Sequence, residues 1–134
     1  MNSSLWLRLG AISGGLAVAA GAFGAHMLEK QIVPRFLQAF ETGVRYQLVH
    51  ALALLVVGLL ATVGGTTRAL ATAGWAFLLG SILFSGSLYA MALTGVTMLG
   101  AITPLGGVGF LVGWAALALY RVGPKLPTGL DRGV

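Results

Sequence analysis

A handful of polar side chains interrupt an otherwise apolar chain, and their types and spacing are the first thing to weigh. His26 stands alone. Tyr46, Gln47 and His50 are three and four positions apart, so on a helix they share a face. Ser85 and Tyr89 share a face in the same way, with Ser87 nearby. Two imidazoles, His26 and His50, could bind a metal or serve as paired axial haem ligands. No third ligand accompanies them, so the plainer reading is an imidazole bonded to a carbonyl or to water, and no metal or cofactor is expected. Ser85 as a nucleophile would need Glu41 to fold inward and complete a Ser-His-acid arrangement. Ser85 and Ser87 are read instead as hydrogen bonds across helices. Thr103-Pro104-Leu105-Gly106-Gly107 reads as a helix start, with Thr103 capping and Pro104 in the first helical position. Free amides there could also receive an anionic group.

The elements that position these residues follow from the charge distribution. Of 134 residues, 57% are hydrophobic and 8% charged. A soluble domain carries about a quarter charged residues, so an ordinary water-soluble fold is excluded. There is no Cys, hence no disulfide and no thiolate chemistry. The net charge of +5 comes from scattered basic residues rather than a stripe, which argues against nucleic acid. Residues 9–28, 46–67 and 69–120 carry no Asp, Glu, Lys or Arg. A bilayer core takes about 20 apolar residues per helix, so the first two stretches read as one span each and the third as two, turning near Thr94-Gly95 and Thr103-Pro104. The predicted fold is an all-α integral membrane protein of one domain, 1–134. It has an up-down bundle of spans at 5–27, 46–64, 69–93 and 104–121 and a short polar tail at 122–134. The first span is expected to be retained, because its apolar run exceeds that of a signal peptide.

Residues 28–45 differ in kind. Ile32, Val33, Phe36, Leu37, Phe40 and Val44 recur at helical spacing, with Glu29, Lys30, Arg35, Gln38, Glu41 and Arg45 on the other face. An amphipathic helix over about 32–44 is predicted, lying in the membrane interface or capping the bundle by packing. Arg8, Arg68, Arg121, Lys125 and Arg132 outnumber Lys30, Arg35 and Arg45. The positive-inside rule then puts both termini in the cytoplasm, and a bacterial plasma (inner) membrane fits. Trp6 is expected as an interfacial anchor, Trp75 near the interface and Trp114 in packing. The pairs Gly10/Gly14, Ala17/Gly21, Ala76/Gly80 and Gly109/Gly113 suit close helix approach, within the bundle or in a homo-oligomer.

Four motifs resemble one family. They are Gly21-Ala22-Phe23-Gly24-Ala25-His26, Phe40 to Gln47 followed by His50-Ala51-Leu52-Ala53-Leu54, Phe84-Ser85-Gly86-Ser87-Leu88-Tyr89, and Ile102 to Gly107. In matching order over about residues 8–120, they resemble the domain-of-unknown-function 423 family. The resemblance implies a small multi-span membrane protein with a retained first helix. It implies no activity and no catalytic residues.

The expected function is therefore an accessory or structural bundle that binds a lipid, a small amphipathic ligand or a protein partner, and not an enzyme. A transporter or channel subunit ranks second, because charged residues are missing from the third and fourth spans. A lipid- or quinone-directed enzyme ranks third. The candidate ligand site gathers His26, Tyr46, Gln47, His50, Ser85 and Tyr89 into one pocket, with Arg45 at its mouth and the amphipathic helix as a mobile lid.

Overall fold

A computed structural model describes residues 3–122. The polar tail beyond residue 122, with Lys125 and Arg132, lies outside the described residues. Four α-helices run α1 (Ser3–His26), α2 (Pro34–Gly64), α3 (Arg68–Thr94) and α4 (Thr103–Ala118). Short 3-10 turns at Leu28–Lys30 and Thr97–Ala101 join the first pair and the last pair. The segments Ser3–Lys30, Pro34–Gly64, Arg68–Thr94 and Thr97–Ala118 are each long and apolar enough to cross a membrane. There is no strand among the described residues.

Local sequence explains the ends. Val33 is extended, and Pro34 occupies the first turn of α2, where its missing N–H costs nothing. Thr67 caps α3 by accepting from the Leu70 N–H at 3.2 Å. Gly95, in the left-handed region at φ 72°, closes it. Pro104 opens α4 as expected. Thr103 does not cap that helix, because it is itself the first helical residue, behind Ile102 at the N-cap; its hydroxyl instead pairs with that of Ser87 at 2.7 Å.

The second span departs from expectation. No separate amphipathic helix precedes it, since 34–44 and 46–64 form one continuous 31-residue helix. Nothing between them breaks the helix, and Thr42 folds back to donate to the Gln38 carbonyl at 2.9 Å. The apolar side of this first stretch faces protein. Phe40 is buried with Leu28 and Ala92, flanked by Phe36, Leu37, Val44 and Tyr89. This stretch packs onto the bundle as the start of α2. At about 1.5 Å per residue α2 is about 46 Å long, more than a hydrocarbon layer of roughly 30 Å, so it tilts or projects.

Small residues set the packing. A Cβ on Gly10 would lie 2.9 Å from the Ala51 carbonyl, and one on Gly58 would lie 2.7 Å from Leu7, which fixes α1 antiparallel to α2. Gly80, Gly106 and Gly109 bring α3 and α4 together, Gly109 facing the Gly80 backbone at 3.1 Å. Most of the glycine pairs singled out from sequence are therefore spent inside the chain. Apolar lipid supplies no water exclusion, so such close approach gains dispersion contacts instead.

Trp6 corrects another expectation. It is fully buried rather than interfacial, because Gly74 leaves room for the indole. Its ring meets Trp75 edge-on at 5.5 Å and joins Leu54, Val57, Leu70 and Phe77 in the main core. Trp75 itself is half-exposed.

Two alanine substitutions separate packing from propensity. Gly106→Ala places a methyl on the Phe84 backbone and should cost about 1–3 kcal/mol by overpacking. Gly86→Ala meets nothing within 4 Å and should be neutral or stabilise by up to about 1 kcal/mol. Thermal unfolding of the detergent-solubilised protein measures both.

Candidate functional site

The polar side chains do not form one cluster. They divide across α2 into two.

On one side, Gln47 ties three helices together. Its Nε2 donates to the Ser13 carbonyl of α1 at 3.0 Å, and its Oε1 accepts from the Tyr89 hydroxyl of α3 at 2.7 Å. One helical turn away, Ser85 Oγ donates to the Gly43 carbonyl at 2.7 Å. Gly43 permits this, since a Cβ there would meet the Tyr89 ring at 2.9 Å. Beside these groups lies a pocket of about 330 Å³ between α1, α2 and α3. Its polar strip is Ser13, Gln47, Ser81, Ser85 and Tyr89, and the rest of the wall is mainly Leu, Ile and Gly86. No charged residue lines it. The rim residues Ile12, Leu16 and Ile82 are exposed, so the pocket opens sideways between α1 and α3. At its far end the α1–α3 seam is closed by Trp6 against Gly74.

On the other side, His50 is buried and fully engaged. Its Nδ1 lies 2.7 Å from the Tyr46 carbonyl, which can only accept, so Nδ1 carries the proton. Its Nε2 accepts from Trp114 Nε1 at 3.1 Å. The ring stacks on Phe110 with centroids 3.4 Å apart and planes 6° apart. Tyr46 stacks on Phe84 at 4.4 Å, and Phe77 and Trp114 close the cluster. With both nitrogens committed, His50 has no lone pair to offer a metal and no proton to exchange without breaking a bond.

Two candidates fall elsewhere. His26 is exposed at the end of α1. Arg45 lines a different cavity, of about 350 Å³, with Gly21, Gly24, Phe40, Glu41 and Val44. Glu41 faces that cavity and not Ser85. The single pocket expected from sequence is thus corrected. Gln47, Ser85 and Tyr89 share a pocket, Tyr46 and His50 share an aromatic cluster, and His26 and Arg45 join neither. The reason is angular: Gln47 and His50 are close in sequence but face different helices. No group of three or more His, Asp or Glu able to hold a metal occurs among the described residues.

Sequence reading missed Ser81, which extends the Ser85–Tyr89 stripe by one turn. It also missed the Ser13 carbonyl and the Trp114 donor. The 81–85–89 spacing was visible; the other two depend on helix register, which no local pattern carries.

A family model described as "Protein of unknown function (DUF423)" matches residues 20–107. The chain is 48% identical over 118 residues to the UPF0382 membrane protein YwdK of Bacillus subtilis, covering 88% of this chain and 96% of that one. It is 45% identical over 115 residues to a UPF0382 membrane protein of Staphylococcus epidermidis, covering 86% and 93% respectively. No solved structure matches.

The His50–Trp114 bond can be isolated by a double-mutant cycle. His50→Phe and Trp114→Phe should each lower stability by about 1 kcal/mol, leaving a partner unsatisfied. The double variant should cost less than their sum, because both polar groups are then gone. Additive losses in an unfolding titration would mean that the bond contributes nothing.

Proposed function

The chain belongs to the DUF423 family, and we propose that it serves as an accessory, non-catalytic membrane bundle that holds a small amphipathic ligand between α1 and α3. One observation carries this reading: the sideways-opening pocket of about 330 Å³ with apolar walls and a strip of hydrogen-bonding groups. Its size is in the range of small-molecule sites, roughly 300–1,000 Å³. The state of the polar side chains favours binding over catalysis. The Ser85 proton is committed to Gly43, the Tyr89 proton to Gln47, and the His50 nitrogens to Tyr46 and Trp114. None is poised as a nucleophile or base.

The proposed location is a bacterial plasma membrane with both termini in the cytoplasm. Support comes from the excess of Lys and Arg on the side that holds the start of α1, the α2–α3 turn and the end of α4. A reporter enzyme that works only outside the cytoplasm, fused to the C-terminus, should be inactive; activity would invert the topology.

The binding reading is tested by mass spectrometry of gently solubilised full-length protein. A lipid-soluble species should co-purify with the native chain and be lost from Gly86→Leu. That variant adds bulk at a pocket-lining position where a Cβ meets nothing within 4 Å. Equal recovery from both proteins would place any ligand elsewhere.

A further inference from the structure

The cavity on the α1–α2 seam, of about 350 Å³, differs in chemistry from the α1–α3 pocket. Its floor is Gly21 and Gly24 of α1 against Phe40 and Val44 of α2. A Cβ on Gly24 would lie 3.1 Å from the Phe40 ring, and one on Gly21 would lie 3.3 Å from Val44. Its lip carries two exposed groups of opposite charge, Glu41 and Arg45. They stand one turn apart, a spacing at which helical charges ordinarily meet. Among the described residues neither is held in an ion pair.

Depth orders the two charges. The charge-free stretch 46–67 begins immediately after Arg45. Residues 45–64 give about 30 Å of helix, enough to cross the hydrocarbon layer. Arg45 therefore stands at the edge of that layer, and Glu41 lies one turn, about 6 Å, further towards water. Beyond Glu41 a further cavity brings in Glu29 and Arg35. Arg35 lies over the Phe36 ring at 4.6 Å and offsets one of the two carboxylates, which leaves the outer side negative. Inward from Arg45 the seam continues as exposed apolar side chains, Val18 on α1 and Leu48 and Leu52 on α2.

We propose that this cavity binds the headgroup of a zwitterionic phospholipid, with the phosphate on Arg45 and the ammonium on Glu41. The site is independent of the α1–α3 pocket and of any ligand held there. A guanidinium presents a fork of donors that matches phosphate oxygens. In such a lipid the phosphate is joined to the glycerol and lies nearer the hydrocarbon, while the ammonium extends outward. That is the order of Arg45 and Glu41. An anionic phospholipid satisfies Arg45 but leaves Glu41 facing a negative headgroup. A cationic amphiphile meets the opposite conflict at Arg45. The acyl chains run inward along Val18, Leu48 and Leu52, which gives a lipid contacts that a free headgroup lacks.

The test uses the full-length protein, delipidated in a nonionic detergent, with native mass spectrometry reading bound lipid. The probes are phosphatidylethanolamine and phosphatidylglycerol with identical acyl chains. They share the phosphate, and only the first has an ammonium. Phosphatidylethanolamine should bind about three- to tenfold more tightly. Arg45→Gln should weaken both lipids by about that factor. Glu41→Gln should weaken phosphatidylethanolamine and leave phosphatidylglycerol unchanged or tighter, so that the preference disappears. Lys30→Gln removes the same charge as Arg45→Gln at the same end of the bundle but outside the cavity, and should change neither lipid. Gly86→Leu, in the α1–α3 pocket, should likewise change neither. Water-soluble glycerophosphoethanolamine at equal concentration should not displace the lipid. Absent binding, equal binding of the two lipids, or a preference that survives Glu41→Gln overturns the proposal. So does a loss in Lys30→Gln as large as that in Arg45→Gln, which would mean attraction to net charge alone. Loss of the lipid from Gly86→Leu would move it to the α1–α3 pocket and overturn this site. Displacement by the soluble headgroup would overturn a lipid as the source of that headgroup.

Discussion

Gln47 reaches two helices at once, and the arrangement of the first three helices depends on that reach. Hydrocarbon offers no water to an unpaired amide, so both ends of the side chain must find protein. They do so only in one register, with Ser13 on one flank and Tyr89 on the other. That register needs short distances between backbones. Gly10 and Gly58 supply them towards α1, and Gly43 supplies them towards α3. Small residues and the polar bridge are therefore one device. The glycines permit the approach, and the bridge selects which of several similar approaches is adopted. Individual bonds of this kind are modest, about 0.6 kcal/mol on average in a membrane, so selection rather than strength is their contribution.

The other face of α2 solves the same problem with aromatic rings. His50 is a polar ring in a core of Phe77, Phe110 and Trp114, and it is tolerated because each nitrogen has one partner of the right kind. The Tyr46 carbonyl fixes the proton on Nδ1, and the Trp114 indole then donates to the free lone pair on Nε2. This closed arrangement contrasts with the pocket side, where Ser81 keeps an unspent hydrogen.

Much of this was legible in the chain. Charge-free stretches located the four spans, and Gly95 and Pro104 marked the turn between the last two. The continuity of α2 was not legible, because an amphipathic pattern reads alike whether its apolar side meets lipid or protein. Phe40 shows the difference: its spacing is that of an interfacial helix, yet Leu28 and Ala92 cover it. Trp6 misled for a related reason. Tryptophan near a helix end is ordinarily an anchor, and only the glycine at position 74, far off in sequence, turns it inward. Grouping the polar residues by membrane depth placed them in one half, but depth leaves the angle around each helix open. Tyr46, Gln47 and His50 span enough of that angle to serve two clusters.

The missing piece of the bundle is a fourth wall between α1 and α3. α2 packs on both, and α4 completes α3, but α1 and α3 meet closely only where Trp6 enters Gly74. Further along, the seam holds small and branched side chains, Ser13, Ser81, Ile82 and Gly86, which leave the gap unfilled. A Cβ at position 86 would meet nothing within 4 Å. The unfilled seam lacks complementary atoms on one side, where apolar lipid can supply them. Bulk lipid tails can fill the volume but cannot accept a hydrogen bond.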